Sequence, residues 1–250
     1  MPSDNTVKSL VRALSVLECF SKQEPELGVT EIANKLKMQK STIFNILSTF
    51  QNTGYLIKNP ANNKYHLGYK LLHLGYIVSS RMSIREQFIP HMKEIANACG
   101  EVCYLGLLDE MEVLYVEAVY PNTQIQARNI LGERAPLYCT GLGKAMLANL
   151  SSSEIEDALA KPMQSFTKCT ITDPDVLRTQ LEEIRSNGYA VDNMEHEFGI
   201  RCVAVPFFSM DGSVLGAVSV SGPSPRFDPQ TVVRCASLIT EQLRDLQHCF

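Results

Sequence analysis

GVTEIANKLKMQKSTIFNILSTFQNTGYL, residues 28–56, decides the reading of the N-terminal third of the chain. Thr30 is placed to cap a short helix through Leu36, with Glu31 favourable in its first turn. A break at Lys37–Lys40 precedes a further helix, Lys40 to Asn52, and Gly54 lies just past its end, where a left-handed residue costs glycine least. Two short helices across a tight break form a helix-turn-helix pattern. Along the later helix Ile43, Ile46, Leu47 and Phe50 make an apolar stripe. Gln39, Lys40, Ser41, Thr42, Asn45 and Ser48 cluster near its start and on its other side. Such a face suits a major groove, where Asn and Gln pair with adenine edges and Ser, Thr and Lys reach phosphates or bases. An ordinary solvated helix face has the same composition.

The flanks favour the groove. Upstream, Leu10, Val11, Leu14 and Leu17 follow helical spacing, predicting a first helix over Thr6–Phe20, and Ser21–Gly28 reads as a loop. Downstream, Tyr55–Lys58 and Lys64–Leu67 read as strands around the turn Asn59–Asn63. A hairpin directly after such a helix is a wing, with Lys58, Asn62, Asn63 and Lys64 available to phosphates or the minor groove. A plain hairpin that closes the small core fits the same residues.

Charge separates along the 250 residues. Residues 1–80 hold nine Lys/Arg and five Asp/Glu; the remainder holds 14 and 22. A net of +4 on the head against −8 on the body fits a nucleic-acid-binding module carried by a domain with another task, although surface charge also partitions by chance. An apolar fraction of 45% suffices for a real core. No apolar run approaches the ~18 residues of a membrane span, so no membrane partner is expected. The N-terminus lacks the pattern of a secretion signal, which predicts a cytoplasmic protein. Eight scattered cysteines without a CxxC pair argue against a zinc ribbon and a disulfide framework.

Beyond Gly68, Leu71, Leu72, Leu74, Ile77 and Val78 make a helix too apolar to stand alone in water. It is expected to link two domains and to pack on a second copy of itself or on the first helix. Half-site reading by helix-turn-helix proteins also predicts a homodimer. The body reads as α+β. A helix through Ile84, Phe88, Met92 and Ile95 stops at Gly100, and Val102–Leu108 and Glu112–Tyr120 are strands. Ser151–Glu154 has capping-box spacing, and Asp173-Pro174 opens a helix ending before Gly188. Strands Cys202–Phe208 and Val214–Ser221 precede a last helix opened by Asp228-Pro229. Strand pairs separated by helices predict an antiparallel sheet flanked by helices.

SLVRALSVLECF, ELGVTEIANKLKMQKSTIFNILSTFQNTGYL, KYHLG, PLYCTGLGKAMLA, TITDPDVLRTQLEEIRSNGYAVDNMEHEFGIRCVAVPFF and VSVSGP together resemble the IclR family of transcriptional regulators over nearly the whole chain. The C-terminal block is the specific part; the helix-turn-helix alone is generic. The resemblance implies three parts: a winged helix-turn-helix over 1–68, a linker helix over 69–82, and a GAF/PAS-like effector domain over 83–250. It implies a double-stranded DNA operator, dimers or dimers of dimers, and a small organic effector, in this family mostly small carboxylates, sugar acids or aromatic acids. No cofactor and no catalysis are implied.

Effector-site positions carry over onto Gly141 and Leu142 before Lys144, Asp192, Cys202, and Ser219 with Ser221. Amides at a helix start hold carboxylates, and alternate residues on a strand share a face. The family varies around Tyr120–Leu131, so the effector stays unnamed. Each position has a plainer alternative: a tight turn for Gly141 and Gly143, a core thiol for Cys202, a capping carboxylate for Asp192, core hydrogen bonds for the serines. TGLGKAM is no P-loop, since Tyr138 stands where a glycine is needed and Ala145 replaces Ser/Thr. His196 near Asp192 and Cys202 leaves open a metal or redox sensor, or a Cys-dependent hydrolase, but strong metal-ligand spacing is absent.

Overall fold

The computed structural model describes residues 6–79, 83–122, 130–244 and 246. The chain divides into two compact units, Met1–Met82 and Ser83–Phe250.

The first unit runs α1 (Lys8–Leu17), α2 (Val29–Leu36), α3 (Lys40–Asn52), β1 (Leu56–Lys58), β2 (Tyr65–Leu67) and α4 (Tyr69–Ser79). α3 has the bounds that the sequence predicts. α1 is shorter than Thr6–Phe20, and its apolar spacing points outward: Leu10, Val11 and Leu14 are exposed, while Val16 enters the core. The cap of α2 is Gly28 rather than Thr30, and the Glu31 carboxylate accepts the Gly28 N–H at 2.6 Å. Lys37 takes the left-handed conformation that turns the chain between α2 and α3. Val16, Leu27, Ile32, Ile43, Leu47, Leu56 and Tyr65 form the core. β1 and β2 pair antiparallel, Leu56 opposite Leu67. Gly68 then donates to the Tyr55 carbonyl at 2.7 Å, and a Cβ there would overlap the Gly54 carbonyl. α4 leaves Tyr69, Leu72, Tyr76 and Val78 exposed.

The second unit is a six-stranded antiparallel sheet in the order β5-β4-β3-β8-β7-β6. Its elements are α5 (Ser83–Cys99), β3 (Val102–Asp109), β4 (Glu112–Val119), β5 (Arg134–Pro136), α6 (Gly141–Leu147), α7 (Ser152–Leu159), α8 (Pro174–Asn187), β6 (Ala190–Asn193), β7 (Ile200–Phe208), β8 (Val214–Pro223) and α9 (Pro229–Arg244). A single 3-10 turn, Ser224–Arg226, precedes α9. Strand periodicity sorts the two faces. Val203, Val205, Val218 and Val220 meet Phe88, Met92 and Ile95 of α5 and Ile239 of α9. Ala204 and Ala217 meet Leu142 and Met146 of α6 and Leu181 of α8. Small residues on this second face let α6 lie close to the sheet.

α8 begins on the Asp173 cap and stops at Gly188, and the Ser151–Glu154 capping box opens α7, as their residues predict. The β3–β4 turn needs no glycine, since Glu110 and Met111 both take positive φ, as a two-residue hairpin of this hand demands. β5 and β6, of three and four residues, show no period in the sequence.

Candidate functional site

In α3, Lys40, Ser41 and Asn45 are exposed and Ser48 is half-buried one turn further, so these share a face; Gln39, the N-cap, is exposed beside them. Thr42 is half-buried on the flank. The same face carries Phe44, 51% exposed, which the apolar stripe of Ile43 and Leu47 masks in the sequence. An exposed aromatic among groove-reading residues offers apolar contact to a thymine methyl.

The wing residues engage their own fold. Asn62 and Asn59 donate side-chain N–H groups to the Glu26 carboxylate at 2.8 and 3.1 Å, and these bonds hold that carboxyl below its usual range. Lys64 pairs with Glu31 at 2.8 Å, and the Lys58 ammonium lies 5.7 Å from the Tyr65 ring centroid. Asn63 stands exposed at the tip with positive φ.

In the second unit, register builds a row across four strands. Asp192 of β6 faces Cys202 of β7, Cys202 faces Ser221 of β8, and Ser221 faces Val102 of β3. Two residues along, on the same face, Ala204 faces Ser219 and Ser219 faces Tyr104. The row, the start of α6 and the segments around Tyr115, Arg134 and His196 enclose a cavity of about 270 Å³. Gly141, Leu142, Asp192, Cys202, Ser219 and Ser221 all line it. So do Thr140 and Glu197, inside the stretches that carry the resemblance but not singled out there, and Glu101, Tyr104, Tyr115, Glu133 and Arg134, which lie outside those stretches. Of the variable stretch Tyr120–Leu131, residues 123–129 lie outside those described.

The two glycines of GLG do different work. A Cβ on Gly143 would overlap the Leu137 carbonyl, so Gly143 serves close packing. Gly141 backs onto Cys202, whose Cβ would lie 3.3 Å from an added Cβ. Thr140 Oγ1 accepts the Gly143 N–H at 3.0 Å, and Thr140 O accepts that of Lys144. The Gly141 and Leu142 amides precede these in the first turn, beside the cavity.

Asp192 is 3% exposed, so it is not a surface carboxylate. Its Oδ1 accepts the Glu195 N–H at 2.7 Å, but burial dominates and pushes its carboxyl up to about 7, aided by the Glu195 charge. Burial also pushes the Cys202 thiol far up, with the Asp192 charge adding, although Cys202 donates to Ser221 Oγ at 2.9 Å. A thiol held protonated is a poor nucleophile, which removes the basis for a hydrolase built on Cys202. Burial, then Cys202 and Asp192, raise the Tyr115 phenol. Among the described residues no group of three or more His, Cys, Asp or Glu is placed to hold a metal ion. Cys249 lies outside the described residues.

Behind the cavity, Lys144 of α6 is fully buried against Glu195 at 2.5 Å and donates to Gln180 at 2.8 Å. Thr170 Oγ1 and Thr167 Oγ1 donate to the carbonyls of Glu195 and Met194 at 2.6 Å each, tying the strip that carries His196 and Glu197. The residues are 51 apart in sequence, so no spacing rule reaches this pair.

Comparison with known proteins agrees with this arrangement. The family model for the IclR helix-turn-helix domain matches residues 9–60, and that for the bacterial transcriptional regulator IclR C-terminal domain matches 77–248. The chain is 35% identical to the HTH-type transcriptional regulator XynR of Escherichia coli K12 over 89% of its own length and 88% of that protein's. It is 30% identical to KdgR of the same organism, over 97% of this chain and 92% of that one. The Thermotoga maritima IclR crystal structure matches with TM-score 0.71 at 32% identity, over 96% and 97% of the two chains. A Microbacterium hydrocarbonoxydans IclR homologue, complexed with 4-hydroxybenzoate, matches with TM-score 0.76 at 26% identity, over 95% and 99%. These relatives are regulators, not enzymes, and among the described residues no helix is long and apolar enough to cross a membrane. With both family domains present in order along one chain, this protein belongs to the IclR family of bacterial DNA-binding transcriptional regulators, which carry a C-terminal effector-binding domain.

Proposed function

We propose that residues 1–68 read a double-stranded operator, residues 69–82 link, and residues 83–250 bind a small organic effector, carboxylate-bearing, in the cavity of the Asp192 row. The single observation that carries this reading is that row: Asp192, Cys202 and Ser221 side by side, with Ser219 two residues along and the start of α6, Gly141 and Leu142, beside it on the same cavity. Amides and hydroxyls supply donors for a carboxylate, while the acids on the wall accept from ligand hydroxyls. The Microbacterium homologue holds 4-hydroxybenzoate, a small frame with one carboxylate and one hydroxyl. A ligand of that size suits a cavity of about 270 Å³.

In the first unit, Gln39, Lys40, Ser41, Thr42, Asn45 and Ser48 enter the major groove, with Phe44 beside them. Lys58, Asn62, Asn63 and Lys64 reach the backbone. The Lys64–Glu31 pair is half-exposed and worth little, so Lys64 exchanges Glu31 for a phosphate at small cost. The exposed apolar residues of α1 and α4 support a homodimer or a dimer of dimers. Effector binding shifts the population between states of different operator affinity, so DNA must change effector affinity by the same factor.

The test pairs two measurements on the purified chain. Binding to its own upstream DNA is titrated across salt, and a thermal-shift panel of small acids, 4-hydroxybenzoate included, seeks the effector class. Stabilisation by at least one acid is expected, lost in Ser221→Ala while DNA binding persists. Absence of salt-sensitive DNA binding, or stabilisation that survives Ser221→Ala and Asp192→Ala, would overturn the reading.

A further inference from the structure

A second hollow, of about 300 Å³, lies in the same unit between the β3–β4 turn, the end of β5 and helices α6, α7 and α8. Leu137, Leu147, Leu159 and Leu177 line it and are buried. Met111, Met163 and the Tyr138 ring complete the walls. None of these residues lines the cavity of the Asp192 row.

The rim decides the class of occupant. Its charged lining residues are Glu110, Glu112 and Lys161. Arg134 lies 3.5 Å from Glu112, so with Lys161 two cations stand against two acids at the rim. A charged head on a ligand therefore meets attraction and repulsion together, and the apolar body carries the affinity. Apolar walls take small rings, an enclosed cavity of roughly half this volume being enough for benzene, and methionine sulfur packs well on aromatic edges. We infer that this hollow is a second ligand site, for a small neutral aromatic molecule, whereas the Asp192 cavity takes anions.

The two cavities share one stretch of chain. Arg134, Ala135, Thr140, Gly141 and Leu142 line the first, while Pro136, Leu137 and Tyr138 line the second. A ring seated against Leu137 and Tyr138 restrains the segment that carries the Gly141 and Leu142 amides. The second site thereby modulates the first. This coupling rests on the effector reading; binding at the second site does not.

Benzyl alcohol is the probe, with benzoate and benzylamine as its charged analogues, titrated by calorimetry and amide chemical shifts on the full chain. Saturable benzyl alcohol binding is expected, moving the amides of Leu137, Leu159 and Lys161, with both charged analogues several-fold weaker at those amides. Ala158→Leu, which fills the hollow from α7, should weaken it by about tenfold or more. Ser221→Ala should leave it unchanged, whatever becomes of the effector reading. Slower hydrogen exchange at Gly141 and Leu142 supports the coupling, and unchanged exchange refutes it. No saturable binding overturns the site, as do shifts confined to Ser219 and Ser221, which place the ring in the first cavity. Benzyl alcohol that dissociates an oligomer instead puts a second copy in the hollow and equally overturns it.

Discussion

Lys64–Glu31 in the wing and Lys144–Glu195 behind the cavity are the same chemical pair in opposite surroundings. The first joins side chains 37% and 45% exposed; the second joins side chains 0% and 3% exposed. Water screens the wing pair, which leaves its lysine available to another anion. The buried pair has nowhere else to go, and among the described residues Glu195 Oε2 has no hydrogen-bond partner. The proposed DNA-reading surface thus carries loosely held charges, whereas the pair behind the cavity is locked in place.

The largest effect that sharpens this contrast is at Lys144. Lys144→Met strands a buried carboxylate and should cost about 3–5 kcal/mol in urea unfolding, most of it recovered by adding Glu195→Leu. Lys64→Met should cost no more than about 1 kcal/mol. Equal costs would break the comparison.

Asp192 comes next. Its folded carboxyl titrates at about 7, above its unfolded range, so the native state binds more protons than the unfolded state between about pH 4 and 7. Its contribution to stability is therefore greatest in acid and declines as pH rises through 7. Asp192→Asn keeps the oxygen that accepts from Glu195 and should exceed the parent by about 2–4 kcal/mol at pH 8, a margin that shrinks toward pH 5. Thermal unfolding across pH checks it; a margin independent of pH would remove the burial argument.

The outer surface gives smaller effects. Asn45→Ala should lose about 1–3 kcal/mol of discrimination between operator and random DNA, read by competition footprinting. Lys40→Ala should weaken both alike and lower the salt slope by about 1. An Asn45→Ala variant with intact specificity would return α3 to an ordinary solvated face.

The same contrast governs what was legible in the sequence. α3 and α8 end where their residues predict because caps and glycines act locally. Asp173-Pro174 and Gly188 need no tertiary context. The first helix is present, but periodicity reveals a stripe and not what it faces, and Leu10, Val11 and Leu14 face out. Gly28 displaced Thr30 as cap because Glu31 reaches back to its N–H. The six effector positions came from family resemblance. Their side-by-side placement arises from cross-strand register, which no local pattern encodes. Phe44 was hidden by apolar neighbours, and the Lys144–Glu195 pair by sequence distance.

The junction at Gly68 has a mechanical corollary. The backbones at Gly54 and Gly68 touch, Gly68 is bonded to Tyr55, and the Lys70 ammonium sits 4.7 Å from the Tyr55 ring centroid. The first turn of α4 is thus welded to the residues that follow α3. That helix is fixed at its base like a crank handle without a swivel, so turning it loads the residues just after α3.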